Sequence, residues 1–142
     1  MCQIHPGIRT ILQHNKCSLN EILDLIKENC NGKKAVHPLL TFTPDPDYVA
    51  QNWPDRNYEQ YGITQNHSFT ILGWDEKDGE QYVVLRNPWA RDNTFKDILH
   101  GDWCYDVEDI SKKIPYGQKG VFALRVEIYH KYFYWTEVVH EK

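Results

Sequence analysis

Two residues in this sequence, His67 and Asn87, are of types that together support acid–base chemistry. A neutral imidazole needs its proton fixed on one nitrogen before the other nitrogen can act as a base. A side-chain amide oxygen can accept that N–H and hold the ring in place. The two residues form such a base only if the fold brings their side chains together.

The chain between these residues predicts a β-hairpin that would bring them together. Two runs rich in β-branched and aromatic residues, 66–74 and 81–89, flank a charged loop. If the loop centres on Lys77, His67 and Asn87 are direct cross-strand neighbours, with Cβ atoms roughly 4.5–5.5 Å apart. The alternative is an ordinary hairpin that carries a surface histidine and an asparagine at the end of a strand.

The residues around the hairpin resemble a known family. Asn66-His67, Gly73-Trp74 and the run Leu85-Arg86-Asn87-Pro88-Trp89-Ala90 are similar to the His/Asn half of the papain-like cysteine proteases, and most similar to the calpain branch. The order of histidine before asparagine and the aromatic after asparagine fit that pattern, whereas Ala90 stands where the family usually has glycine. The resemblance covers about residues 18–135.

This resemblance implies a role for each residue and a function for the protein. His67 would be the general base that activates a cysteine thiol, Asn87 would orient it, and Trp89 would shield their hydrogen bond from water. The implied activity is that of a calpain-like cysteine endopeptidase, which hydrolyses peptide bonds in peptide or protein substrates by a Cys-His-Asn mechanism.

The remaining chain predicts the elements that position the hairpin. Ser18-Leu19-Asn20-Glu21 is a capping box that starts a helix, which Asn31-Gly32 would close. Residues 35–43 predict a strand, with Pro38 at an edge or bulge. Further strands are expected at residues 120–126 and 135–139.

Two long segments lie between these elements. Residues 44–65 predict a loop whose aromatics, Trp53, Tyr58 and Tyr61, either line a substrate cleft or pin the loop to the surface. Residues 91–109 are acidic and predict a solvated face. The calpain resemblance makes bound calcium an option, but the acidic spacing does not match a compact calcium loop, so no cofactor or metal is expected.

Together these elements predict an α+β fold in one domain, residues 1–142. We expect a strongly twisted antiparallel β-sheet of five or so strands, a half-barrel with one main helix, as in the C-terminal lobe of the papain-like proteases.

A hydrophobic content of 41% fits a globular chain. The net charge of −4 without a basic block argues against a nucleic-acid partner. The sequence lacks a membrane span and a signal-peptide pattern, which predicts no membrane partner and a cytoplasmic location.

The nucleophile is the missing part of this interpretation. Of the four cysteines, Cys17 alone precedes a predicted helix, whose dipole would lower the thiol pKa. The family has a glutamine six residues before its cysteine, and here that position is Ile11. Cys17 is therefore a weak candidate, and the resemblance implies a cysteine on another lobe or chain.

Several interpretations remain open at this point. The chain is read as the base-bearing lobe without its cysteine-bearing lobe, whether as a fragment, half of a split enzyme or a degenerate remnant. A pseudo-peptidase would instead grip peptides through Trp53, Tyr58, Tyr61 and Trp89 without chemistry. A small self-contained hydrolase would use Cys17 with the same histidine and asparagine.

Overall fold

The computed structural model describes residues 3–4, 9–88 and 99–140 of the chain. Within those ranges the chain forms three α-helices and eleven β-strands. The helices are α1 (Leu19–Glu28), α2 (Pro46–Asn52) and α3 (Val126–Tyr132). The strands are β1 (Gln3–Ile4), β2 (Arg9–Gln13), β3 (Cys30–Asn31), β4 (Lys34–Ala35), β5 (Leu39–Thr43), β6 (His67–Lys77), β7 (Glu80–Arg86), β8 (Asp102–Trp103), β9 (Ile114–Pro115), β10 (Val121–Arg125) and β11 (Trp135–Val139).

Nine of these strands form one curled antiparallel sheet, which confirms the predicted α+β half-barrel. Its order runs β1-β2-β11-β5-β6, and β6 also pairs with β4 and with β7, which in turn pairs with β10. Strands β8 and β9 form a separate two-stranded sheet. The long strand β6 is therefore the centre of the fold, because it is hydrogen-bonded to three other strands.

The predicted hairpin is present as β6 and β7, but its predicted register is wrong. The turn is the pair Asp78-Gly79, with φ of 53° and 81°, rather than a loop centred on Lys77. Positive φ at both central residues is typical of the tight turns that match the twist of a hairpin. A β-bulge between Ile71 and Gly73 shifts the pairing once more.

Helix α1 begins as predicted and ends earlier than predicted. Ser18 accepts the Glu21 N–H and Glu21 accepts the Ser18 N–H, so the capping box is complete. The helix ends at Glu28 with Asn29 as its C-cap, and residues 31–32 lie in the β3–β4 hairpin instead. Its buried residues, Ile22, Leu23 and Ile26, lie at helical spacing and pack into the core.

Two other predictions about the chain need correction. The single strand expected over residues 35–43 is two strands, β4 and β5, with residues 36–38 between them. The loop expected over residues 44–65 contains α2, which starts at an Asp45 cap followed by Pro46 at its first position. Of the three helices in the described residues, α1 is the longest, in agreement with the one main helix expected.

The sheet has a core on each of its faces. Alternate residues of β5 and β6, such as Leu39, Phe69 and Ile71, pack against α1 and α3 on one face. On the other face, Val84 and Ala123 pack under Trp103. Burial of one face of β6 and its pairing with three other strands fix it in place, and with it the residue at its start.

Candidate active site

His67 is the first residue of β6, and Asn87 directly follows β7. Their side chains meet: the distance from His67 Nε2 to Asn87 Oδ1 is 3.0 Å. Asn87 is buried, with 1% of its surface exposed. Its backbone N–H donates to Gly120 O at 2.9 Å. The two residues are therefore on the same side of the sheet and within hydrogen-bonding distance.

The pair is diagonal rather than directly cross-strand. Thr70 pairs with Arg86 and Ile71 with Leu85, so continuing this register places Phe69, not His67, opposite Asn87. Diagonal neighbours on one face of a sheet are separated by about 7–8 Å at the backbone, within reach of long side chains. The imidazole spans that extra distance.

The hydrogen bond determines where the imidazole holds its proton. An amide oxygen only accepts, so Nε2 of His67 is the donor in this bond. In the neutral ring the basic lone pair is then on Nδ1. This is the protonation state that a general base requires.

A second contact, with a residue two positions later on the same strand and face, supports the ring. The Phe69 ring meets the His67 ring in a T-shaped arrangement, with centroids 4.9 Å apart and planes at 89°. Phe69 is 2% exposed and packs against Phe133 and Phe122. The imidazole is thus held by Asn87 at one nitrogen and by a fixed aromatic ring.

The chain is similar in sequence to proteins that are named as cysteine proteases. A thiol protease of Porphyromonas gingivalis is 25% identical over 116 residues, which cover 80% of this chain and 23% of that protein. The calpain-type cysteine protease ADL1 of Oryza sativa is 29% identical over 83 residues, covering 56% of the chain and 4% of that protein. The calpain-type cysteine protease DEK1 of Arabidopsis thaliana is 26% identical over 82 residues. No family model matches the chain.

The chain is related to the calpain-like cysteine proteases. This confirms the resemblance found in the hairpin sequence. The chain spans less than a quarter of the length of the P. gingivalis relative and a much smaller share of the plant relatives.

The cysteines that the structure describes are Cys17, Cys30 and Cys104, and Cys2 lies outside the described residues. Cys17 is buried just before α1. Burial raises the pKa of Cys30 to about 11, which disfavours its thiolate at neutral pH. Cys104 is exposed.

Cys17 lies beside two other histidines. His14 and His130 line the same cavity of about 400 Å³, and His130 Nε2 donates to the Cys17 carbonyl at 2.8 Å. Cys17 follows β2, whereas His67 begins β6. Strands β11 and β5 lie between β2 and β6 in the sheet, so these two strands are three strand spacings, or roughly 14 Å, apart. The use of Cys17 with His67 stays a prediction.

A second histidine–asparagine pair makes an internal comparison possible. His37 Nδ1 lies 2.9 Å from Asn29 Oδ1, but His37 is exposed, and Asn29 also caps α1. The side-chain amide of Asn29 donates to Leu25 O at 2.8 Å. This pair stabilises a helix end, so a histidine–asparagine bond alone does not identify a base.

The aromatic residues of the 44–65 segment are largely taken up by packing. Tyr58 is 4% exposed and its hydroxyl donates to Tyr132 O at 2.5 Å. Trp53 is 8% exposed and packs edge-on against Tyr48. Tyr61 contacts the Tyr132 ring. These contacts pin the segment to α3 and leave Trp53 and Tyr58 little surface for gripping a peptide.

Two other features of the candidate site fall partly outside the described residues. Trp89, the expected shield of the His67–Asn87 bond, lies outside them, as do residues 91–98 of the acidic segment. Among the residues that are described, no group of three or more His, Cys, Asp or Glu side chains is placed to hold a metal ion. No helix in the same part of the chain is long and apolar enough to cross a membrane.

Proposed function

We propose that this chain supplies the general base of a calpain-like cysteine endopeptidase, with His67 as the base and Asn87 as its orienter. The thiol would come from a cysteine-bearing lobe or chain that docks beside His67. The observation that carries the proposal is the 3.0 Å bond between His67 Nε2 and the buried amide oxygen of Asn87.

The proposed reaction has two steps that both use the Nδ1 lone pair. The imidazole takes the proton of the thiol, and the thiolate attacks the carbonyl carbon of the scissile peptide. The C–N bond breaks as the imidazolium returns the proton to the leaving amine, which leaves a thioester on the cysteine. The imidazole then takes a proton from water, and the water oxygen attacks the thioester carbonyl carbon. The C–S bond breaks, the carboxylic acid product leaves, and the imidazolium returns the proton to the thiolate.

Asn87 suits this role because it is uncharged and buried. A neutral amide holds the ring by one hydrogen bond, so the imidazole remains free to cycle between its neutral and charged forms. Since only 1% of Asn87 is exposed, water competes poorly for its oxygen. Burial thus favours one ring orientation throughout the reaction.

A peptide-binding module without chemistry is less well supported. That function was expected to use Trp53, Tyr58, Tyr61 and Trp89, and the first two are buried in contacts with other aromatic residues. A purely structural role for the pair would be favoured by side chains on opposite faces of the sheet. His67 and Asn87 instead share a face and a hydrogen bond.

Cleavage of a fluorogenic peptide tests the proposal. The chain alone should be inactive, and addition of a cysteine-bearing papain-like lobe should produce cleavage. His67→Ala should lower kcat by about 10²–10⁴-fold, because a general base is lost. Asn87→Ala should lower it by roughly tenfold to a hundredfold, because a buried donor–acceptor pair is broken.

His37→Ala is the matched control, since it removes an exposed histidine that is also bonded to an asparagine. It should leave kcat unchanged. If His67→Ala and His37→Ala have the same kcat in the active complex, the proposal is wrong. Cleavage by the chain alone that survives Cys17→Ala would exclude both the two-lobe proposal and the Cys17 alternative.

A further inference from the structure

Thr43 is the residue directly opposite His67 in the β5–β6 ladder. It is 4% exposed, and its hydroxyl oxygen accepts the His67 backbone N–H at 3.2 Å. The same hydroxyl donates to the Thr64 carbonyl at 2.6 Å. One buried hydroxyl therefore joins the end of β5 to two positions around the turn that leads into His67.

That turn needs such support because its backbone is in an uncommon conformation. Asn66 has a φ of 53°, a left-handed value that asparagine adopts more readily than most residues but that still costs free energy, which contacts with its surroundings must offset. Its N–H donates to Pro44 O at 3.0 Å. Residues 64–67 are thus attached to β5 through both Thr43 and Pro44.

The direction of the backbone at His67 controls whether its ring reaches Asn87. No strand residue precedes His67 in β6, so the turn sets the path of the chain at this point. The imidazole already reaches a diagonal partner two residues out of register. A shift of this backbone by a fraction of an ångström would weaken the alignment of the Nε2–H donor with Oδ1.

We infer that Thr43 is a positioning residue for His67, whose hydroxyl holds the backbone so that the imidazole meets Asn87. This inference rests on the proposed function only in that His67 is the base. Thr41 provides a matched comparison two residues earlier on the same strand and face. Its buried hydroxyl donates to Trp135 O at 2.7 Å and accepts from Tyr129, so it holds a different part of the sheet.

Nuclear magnetic resonance of the isolated chain tests the inference without requiring catalysis. In Thr43→Val the His67 backbone amide should exchange with solvent at least about fivefold faster than in the native protein, because its acceptor is gone. The Nε2 proton of His67 should also lose its protected signal at neutral pH. Thr43→Ser, which keeps the hydroxyl, should restore both.

Thr41→Val should reduce overall stability yet leave both His67 signals as in the native protein. Thr43→Ala is a second variant that removes the hydroxyl without adding bulk. Native-like His67 signals in Thr43→Val or Thr43→Ala would overturn the inference, as would equal changes in Thr41→Val. Failure of both Thr43 variants to fold would assign Thr43 a structural role instead.

The two proposals fail in different ways. If Thr43→Val leaves the His67 signals unchanged, the positioning role is excluded while the role of His67 as base still stands. If His67→Ala keeps peptide cleavage in the active complex, the base assignment is excluded whatever the Thr43 variants show. In that complex Thr43→Val should lower kcat and leave KM unchanged, since substrate binding is not altered.

Discussion

Replacing His14 with glutamine should make the stability of the protein less sensitive to acid. His14 is 2% exposed, its Nε2 lies 2.7 Å from Thr136 Oγ1, and its ring stacks on His130 with centroids 5.8 Å apart. Burial, and secondly the neighbouring His130, lower the pKa of His14 from 6.5 to about 3. The folded protein therefore keeps His14 neutral where the unfolded chain protonates it.

The sign of the effect follows from proton binding. Between about pH 6.5 and pH 3 the unfolded state binds more protons at His14 than the folded state does, so the free energy of unfolding falls as the pH falls. From the two pKa values, lowering the pH from about 7 to about 5 costs roughly 2 kcal/mol from His14 alone. Any folded-state pKa below about 4 gives nearly the same figure, because His14 is then neutral at both pH values.

Urea unfolding of the native protein and of His14→Gln, each at about pH 7 and about pH 5, measures this difference. Glutamine keeps a hydrogen-bonding group near Thr136 and removes the titration, while all other ionisable groups are shared by the two proteins. The native protein should lose roughly 2 kcal/mol more than the variant. Equal losses in the two proteins would refute a buried neutral His14.

The remaining predictions concern two contacts that hold the hairpin. Gly73→Ala should destabilise the protein by at least about 3 kcal/mol in urea unfolding, because a Cβ there lies 1.8 Å from the Lys33 carbonyl oxygen. Gly101→Ala is the control, because Gly101 also has a positive φ, of 98°, but nothing lies within 4 Å of the new Cβ. It should lower the free energy of unfolding by roughly 1–2 kcal/mol. Equal losses for the Gly73 and Gly101 variants would refute the steric argument. Tyr116→Phe should lower the free energy of unfolding by about 1.5–3 kcal/mol, because the Tyr116 hydroxyl donates to the buried Asp75 carboxylate at 2.5 Å. An unchanged midpoint of urea unfolding would show that this hydrogen bond does not stabilise the protein.

Much of the fold could be predicted from local sequence signals. The capping box at Ser18 and the apolar spacing after it determine where α1 begins and which face is buried. The final strand, Trp135–Val139, has the predicted bounds because its alternation and flanking residues are local properties. The two strands of the hairpin were likewise evident from β-branched and aromatic residues.

Two local features of the sequence favour the observed structure over the predicted one. Asp78-Gly79 is a strong two-residue turn signal, which favours the observed turn at these residues over a loop centred on Lys77. Asp45-Pro46 is a helix start of the kind that begins α2. These features depend on a few local residues and needed no tertiary information.

The sequence by itself determined that His67 and Asn87 lie near the open end of one hairpin, because hydrophobic periodicity and turn residues act locally. Only the tertiary structure decided how the two side chains meet, since a bulge in β6 makes them diagonal neighbours. It also decided that the Thr43 hydroxyl accepts the His67 backbone N–H, and that Cys17 lies beside His130. Such contacts join residues from distant parts of the chain, and their geometry depends on how the whole sheet curls around its core.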